Sequence, residues 1–162
     1  MSIQKKICQS KFGELTLNPG PENDFHWFCE ITITSNIFSG KIPISIMTKN
    51  KEISNVMIEF VEKIAFSIDD YLKSSIIFLK EILNSEKEKY KIKENEYDLL
   101  AFDFANFPID YPELNFYEES DEWMIRFAEG KFDICDPYGI AIWFKKDKPF
   151  DVENLEDSEI ID

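Results

Sequence analysis

The sequence predicts an α+β domain, a mostly antiparallel β-sheet with a central helix pair packed on one face. Three observations carry that prediction. Before residue 50, apolar and polar side chains alternate with period two. Between Ile53 and Leu83 the apolar residues recur at i, i+3, i+4 and i+7. After residue 112, short segments rich in Ile, Phe and Trp return, separated by turn signals.

Taken in order, "FGELTLN" (12–18) is a first strand that ends at the turn cluster "PGPEND". "HWFCEITIT" (26–34) alternates Trp27, Cys29, Ile31 and Ile33 against Phe28, Glu30, Thr32 and Thr34. "KIPISIMT" (41–48) turns Ile42, Ile44 and Ile46 inward, and "SNIFSG" joins these two strands as a hairpin. Pro43 cannot donate to a ladder, so the third strand is expected at an edge or with a bulge. The stripe Ile53, Val56, Met57, Phe60, Val61, Ile64, Ala65 and Ile68 predicts a helix. Ser67 with Asp70 reads as a capping box, so a second helix is expected to start there and to run through Leu72, Ile76, Leu79 and Leu83. "NSEKEKYKIKEN" follows as a solvated charged end. The remaining strands are expected at "ELNFYEE" (113–119), "EWMIRFAEG" (122–130), "FDICD" (132–136) and "GIAIWFKK" (139–146), with turns at "SD", "GK" and "DPYG". In the last of them Ile140, Ile142 and Phe144 share one face, Ala141 and Trp143 the other.

The 162 residues suit a single domain over 1–162, whose acidic tail, 147–162, is expected to be partly flexible. A chain of this length buries roughly 70% of its unfolded surface, enough for a core without staples. The start "MSIQKKICQSKFGEL" lacks the apolar run of a signal peptide, and no run approaches the roughly 20 residues of a membrane span, so a cytoplasmic protein is expected. Cys8, Cys29 and Cys135 are far apart and without a CxxC, which suits reduced thiols acting as small hydrophobes.

Charge is distributed very unevenly. Residues 1–93 carry 13 Lys and 12 acids, whereas residues 94–162 carry 5 basic residues and 20 acids. From Glu94 to Glu122 there are ten acids and no Lys or Arg. Such a surface repels nucleic acids and anionic membranes and attracts basic proteins.

The common catalytic patterns are empty. The one histidine, His26, lies three residues from Cys29, and on a straight strand the two point to opposite faces, which disfavours a shared metal. There is no G-x-S-x-G, and glycines at 13, 20, 40, 130 and 139 form no phosphate-binding loop. "DICDPYG" reads as a β-turn, and the lone arginine, Arg126, as an outward charge paired with a neighbouring strand's acid, or as a buried bidentate pair. No enzyme, cofactor or metal is expected on these residues. Carboxylate pairs are too many to discriminate, so a small carboxylate-dependent hydrolase stands as the alternative.

What remains is the stretch "NFYEESDEW" and the second acidic run "DVENLEDSEIID", interleaved with Phe107, Tyr111, Phe116, Tyr117, Trp123 and Phe150. Aromatic anchors ringed by one sign of charge suit an electrostatically steered interface. The expected partner-binding residues are Tyr117, Glu118, Glu119, Asp121, Glu122, Trp123, Asp151, Glu153, Glu156, Asp157 and Glu159, with Trp123 or a neighbouring aromatic filling a pocket on the partner.

The segment "EWMIRFAEGKFDICDPYGIAIWFKKDKPFDVENLEDSEIID", with the "FGELTLN" strand and the central helix pair, resembles small acidic bacterial immunity proteins. These are encoded beside polymorphic toxins, including those of contact-dependent growth inhibition. The resemblance implies a cytoplasmic antidote that binds one cognate toxin domain, often a nuclease, and occludes it without chemistry of its own. No direct contact with nucleic acid or membrane is implied, and oligomeric state is left open. A phosphate-mimicking blocker of a nucleic-acid-binding protein shares the same electrostatics.

Overall fold

The structure, a computed structural model, describes residues 7–10, 13–19, 25–31, 35–38, 41–49, 52–118 and 120–155. It is α+β, and its described strands form one sheet of eight in sequence order. They are β1 (Ile7–Ser10), β2 (Gly13–Pro19), β3 (Phe25–Ile31), β4 (Ile42–Thr48), β5 (Ile109–Tyr117), β6 (Glu122–Gly130), β7 (Ile140–Lys145) and β8 (Lys148–Asn154). Neighbours pair antiparallel except β4 and β5, which run parallel with Ile44 opposite Leu114 and Ile46 opposite Phe116.

A parallel pair needs a crossover, and the helices supply it. After β4 the chain forms α1 (Asn55–Phe66), α2 (Ile68–Ser85) and the single turn α3 (Tyr97–Leu100) before returning as β5. The apolar stripe read from the sequence is the buried face of the first two: Met57, Val61, Ile64 and Ala65 on α1, and Ile68, Tyr71, Leu72, Ile76, Leu79 and Leu83 on α2. They pack on the face of the sheet that carries Ile44, Ile46, Leu114, Phe116, Trp123, Ile125, Ile142 and Phe144. Edge-on ring contacts join the layers, Phe60 to Phe116 at 6.0 Å and Tyr71 to Trp123 at 5.5 Å.

Ser67 does separate the two helices, but its side chain makes no cap hydrogen bond, so the expected capping box is corrected. The first turn of α2 is committed elsewhere: Asp69 accepts from the Ser35 hydroxyl at 2.6 Å and the Asn36 N–H at 2.9 Å, tying the β3–β4 connection to the helix. The cap that forms is Ser54 on α1, which accepts from the Met57 N–H at 3.2 Å.

Four further expectations are corrected. β4 is an interior strand, and its pairing with β5 begins at Ile44, one residue past Pro43. "FDICD" is not a strand; Asp133–Cys135 form a 3-10 turn. Residues 148–154 of the expected flexible tail form the edge strand β8. The charged end after α2 folds back, burying Tyr90 and Ile92.

Candidate partner-binding surface

Alternation along β5 to β8 puts one set of side chains under the helices and the other on the opposite face. Cross-strand partners share a face, so the register gives its rows. One row runs Glu113, Arg126, Ala141, Glu153, and the next Asn115, Met124, Trp143, Asp151. Glu122 and Lys145 pair in a third. At the β4 end of this face Met47 lies opposite Tyr117.

Tyr117 and Trp143 stack with ring centroids 5.7 Å apart and planes 24° from parallel. The indole Nε1 of Trp143 donates to Glu153 Oε2 at 2.7 Å. That bond satisfies the indole N–H and fixes the ring, half-buried, beside Tyr117. Burial, and then the Glu153 charge, push the Tyr117 phenol above its ordinary pKa. Arg126 anchors the far row: Nη1 donates to both Glu113 oxygens at 2.9 and 3.0 Å, and Nε to the Tyr138 carbonyl at 2.8 Å. It is therefore the outward charge paired with a neighbouring strand's acid, about 28% exposed, rather than a buried fork.

A second feature lies at the carboxyl ends of β4 and β5. A groove of about 590 Å³ opens between the start of α1, the β5–β6 turn and the β7–β8 turn. Val56, Met57 and Phe60 line it from α1, and Glu118, Asp121, Lys146 and Asp147 from the turns. Asp147 is fixed by the Tyr71 hydroxyl at 2.8 Å and by Lys63 at 3.0 Å. The Tyr71 hydrogen bond, then Lys63, hold its carboxyl below the usual range, while burial and the same bond raise Tyr71 to about 12.

The expected site residues are therefore divided among several places. Tyr117, Glu122, Asp151 and Glu153 lie on the open sheet face. Glu118 and Asp121 line the groove. Trp123 is corrected. It is fully buried, stacked on Phe144 at 4.4 Å and on Phe116 at 5.1 Å, with Nε1 donating to the Lys146 carbonyl, so it cannot fill a partner's pocket. Phe107 and Phe116 are core as well. Glu119, Glu156, Asp157 and Glu159 lie outside the described residues, as do the side chains of His26, Cys8 and Cys29.

The expectation that the acids share one surface is corrected in part, because strand alternation sends neighbours to opposite sides. Several acids also serve the fold itself. Glu96 is buried and accepts from the Lys93 and Asp133 N–H groups at 2.9 Å each. Asp133 pairs with Lys93, and Asp147 with Lys63. Sequence reasoning missed Trp143 and Met124 as surface residues. The signal was present: when Ile142 and Phe144 face a core, the Trp between them faces out.

Among the described residues no group of three His, Cys, Asp or Glu side chains is placed to hold a metal ion, and no helix is long and apolar enough to cross a membrane. Comparison with known proteins finds no matching family model, no matching curated protein and no matching solved structure.

Proposed function

We propose that the chain is a binding protein without chemistry of its own, an immunity-type antidote that occludes a basic cognate toxin domain with the open face of β5 to β8. The observation that carries this reading is the Tyr117–Trp143 stack beside Met124, set among the carboxylates of Glu113, Glu122, Asp151 and Glu153. Aromatic and methionine side chains supply contact area, and carboxylates steer a basic partner and pair with its rim. The surplus of acids after residue 93 supplies the long-range attraction. A hydrolase would use a carboxyl raised above its normal pKa, and Asp147 in the groove is shifted the opposite way.

The test is co-purification with the product of the adjacent gene, followed by association kinetics. In a Glu122→Lys, Met124→Glu, Asp151→Lys variant, association is expected to slow at least tenfold and dissociation to quicken, with thermal unfolding unchanged. Undiminished binding by the folded variant removes this face as the interface. Binding to a regulator of nucleic acid, rather than to a toxin, would select the phosphate-mimic reading.

A further inference from the structure

We infer that Tyr111 is a second anchor for the basic partner, at the opposite end of β5 from the Tyr117–Trp143 stack. This deepens the binding reading above and rests on it. Among the described residues, Lys91, Tyr111 and Lys146 are the non-glycine residues with a positive φ. Lys91 and Lys146 lie in turns, after α2 and between β7 and β8. Tyr111, at 56°, lies inside β5. A bulky side chain is an outlier there, because its Cβ crowds the backbone; glycine or asparagine reaches the same φ at less cost.

The fold accounts for the backbone but not for the ring. Ile109 and Pro112 are both buried, so the two residues between them, Asp110 and Tyr111, turn to solvent and break the alternation. The Asp110 carboxylate accepts the Tyr111 N–H at 2.8 Å, and Pro112 has no N–H, so neither 111 nor 112 donates to a ladder. That leaves the start of β5 unpaired with β4, whose register with β5 begins at Leu114. Glycine or asparagine would do the same. Tyr111 is instead 60% exposed, the most exposed aromatic side chain among the described residues. A strained backbone carrying a side chain that the fold does not bury points to a use outside the fold.

The position agrees with the open face. Asp110 pairs with Glu129 and Pro112 with Phe127, so position 111 falls opposite Ala128, one row beyond Glu113 and Arg126. From Tyr111 to Tyr117 the strand spans roughly 20 Å at the rise of an extended chain. An interface of about 800 Å² per partner is roughly 30 Å across, so both aromatics fit one footprint. Tyrosine is among the residues in which interface energy concentrates. The neighbouring charges suit the same basic partner. Asp110 and Glu129 are direct cross-strand partners, both exposed and both acidic, and like charges so placed repel. Exposed Lys131 offsets part of that repulsion, and a cation from the partner would relieve the rest.

The test uses the purified product of the adjacent gene as the partner, with thermal melts of the free chain and binding rates of the pair. Tyr111→Asn is expected to leave the melting temperature unchanged or raise it by about 2 °C, since asparagine tolerates this φ. The same variant is expected to weaken partner binding at least tenfold. A side chain that served the fold would lower both. Phe102→Ser, which removes a half-exposed ring beside α2, is expected to leave binding unchanged. Full binding by the folded Tyr111→Asn chain, a lowered melting temperature, or equal loss of binding in Phe102→Ser overturns the proposal. The open-face variant above separates the two readings. If it loses the partner while Tyr111→Asn keeps it, the sheet-face reading stands and the second anchor falls. If it keeps the partner while Tyr111→Asn loses it, the anchor stands and the sheet-face reading falls. Absence of binding by the unmodified chain overturns both.

Discussion

At the scale of single residues, burial decides chemistry before identity does. Trp123 and Trp143 are equally aromatic, yet one is sealed between Phe116 and Phe144 and the other lies on the open face. Trp123→Ala is expected to cost about 3–5 kcal/mol, as large core truncations do. Trp143→Ala is expected to spare the fold and weaken partner binding, so unfolding and binding measured on both variants separate the two roles. The buried thiol of Cys135 and the Tyr71 phenol give a matching pH prediction. Burial raises Cys135 from 9.0 to about 12, and burial with the Asp147 hydrogen bond raises Tyr71 from 10.0 to about 12. Both groups hold their protons more tightly folded than unfolded. Their contribution is whole below pH 9 and is lost as pH climbs towards 12. Urea midpoints should therefore fall steadily across that range, and a flat midpoint from pH 9 to 11 would contradict the burial of both. Asp147 runs the other way: its lowered pKa stabilises above the unfolded carboxylate value and is lost as acid approaches the folded one.

At the scale of elements, periodicity was legible and special backbone positions were only partly so. The helix stripe marked α1 and α2 because a 3.6-residue period is a property of the chain alone. The same holds for the two faces of β6 and β7. What did not show was context. Pro43 read as an edge marker, yet β4 is interior: Pro43 lies opposite Glu30 in the ladder with β3, and the ladder with β5 starts one residue past it, at Ile44. β8 read as tail because acids dominate it, and it is held by pairing with β7, which no local pattern announces. Its edge is guarded at Val152, whose N–H donates to Asp151 and whose carbonyl accepts from Tyr90 at 3.2 Å. At that one residue both backbone groups are engaged, which blunts the middle of the edge against pairing with another strand. Gly139, before β7, is a sharper case. It holds a positive φ of 83°, and a Cβ there would sit 2.1 Å from the Phe127 carbonyl oxygen of β6. Gly139→Ala is expected to cost about 2–4 kcal/mol by strain and clash, measured as a shift in the urea midpoint with unchanged slope.

At the scale of the molecule, the net charge of −14 works against the fold and for association. Among the described residues, Arg126 with Glu113 is partly covered, whereas Lys63 with Asp147 and Lys93 with Asp133 both sit at more than half exposure. Exposed pairs like the last two contribute about 0–1 kcal/mol each and weaken in salt. Self-repulsion among 20 acids in residues 94–162 weakens in salt too, and it involves many more charges. The free chain should accordingly become more stable as monovalent salt rises from about 10 to 150 mM, where the screening length shrinks from roughly 30 to 8 Å. Its complex with a basic partner should respond in the opposite direction, since the same screening removes the steering that speeds encounter. The paired measurement is informative because one cause predicts two opposite slopes. Melting temperature of the free chain rises with salt, and the association rate constant falls. A melting temperature that falls would show that the ion pairs outweigh the repulsion. An association rate that ignores salt would show that the acids after residue 93 do not meet the partner, leaving the Tyr117–Trp143 face to bind by apolar contact alone.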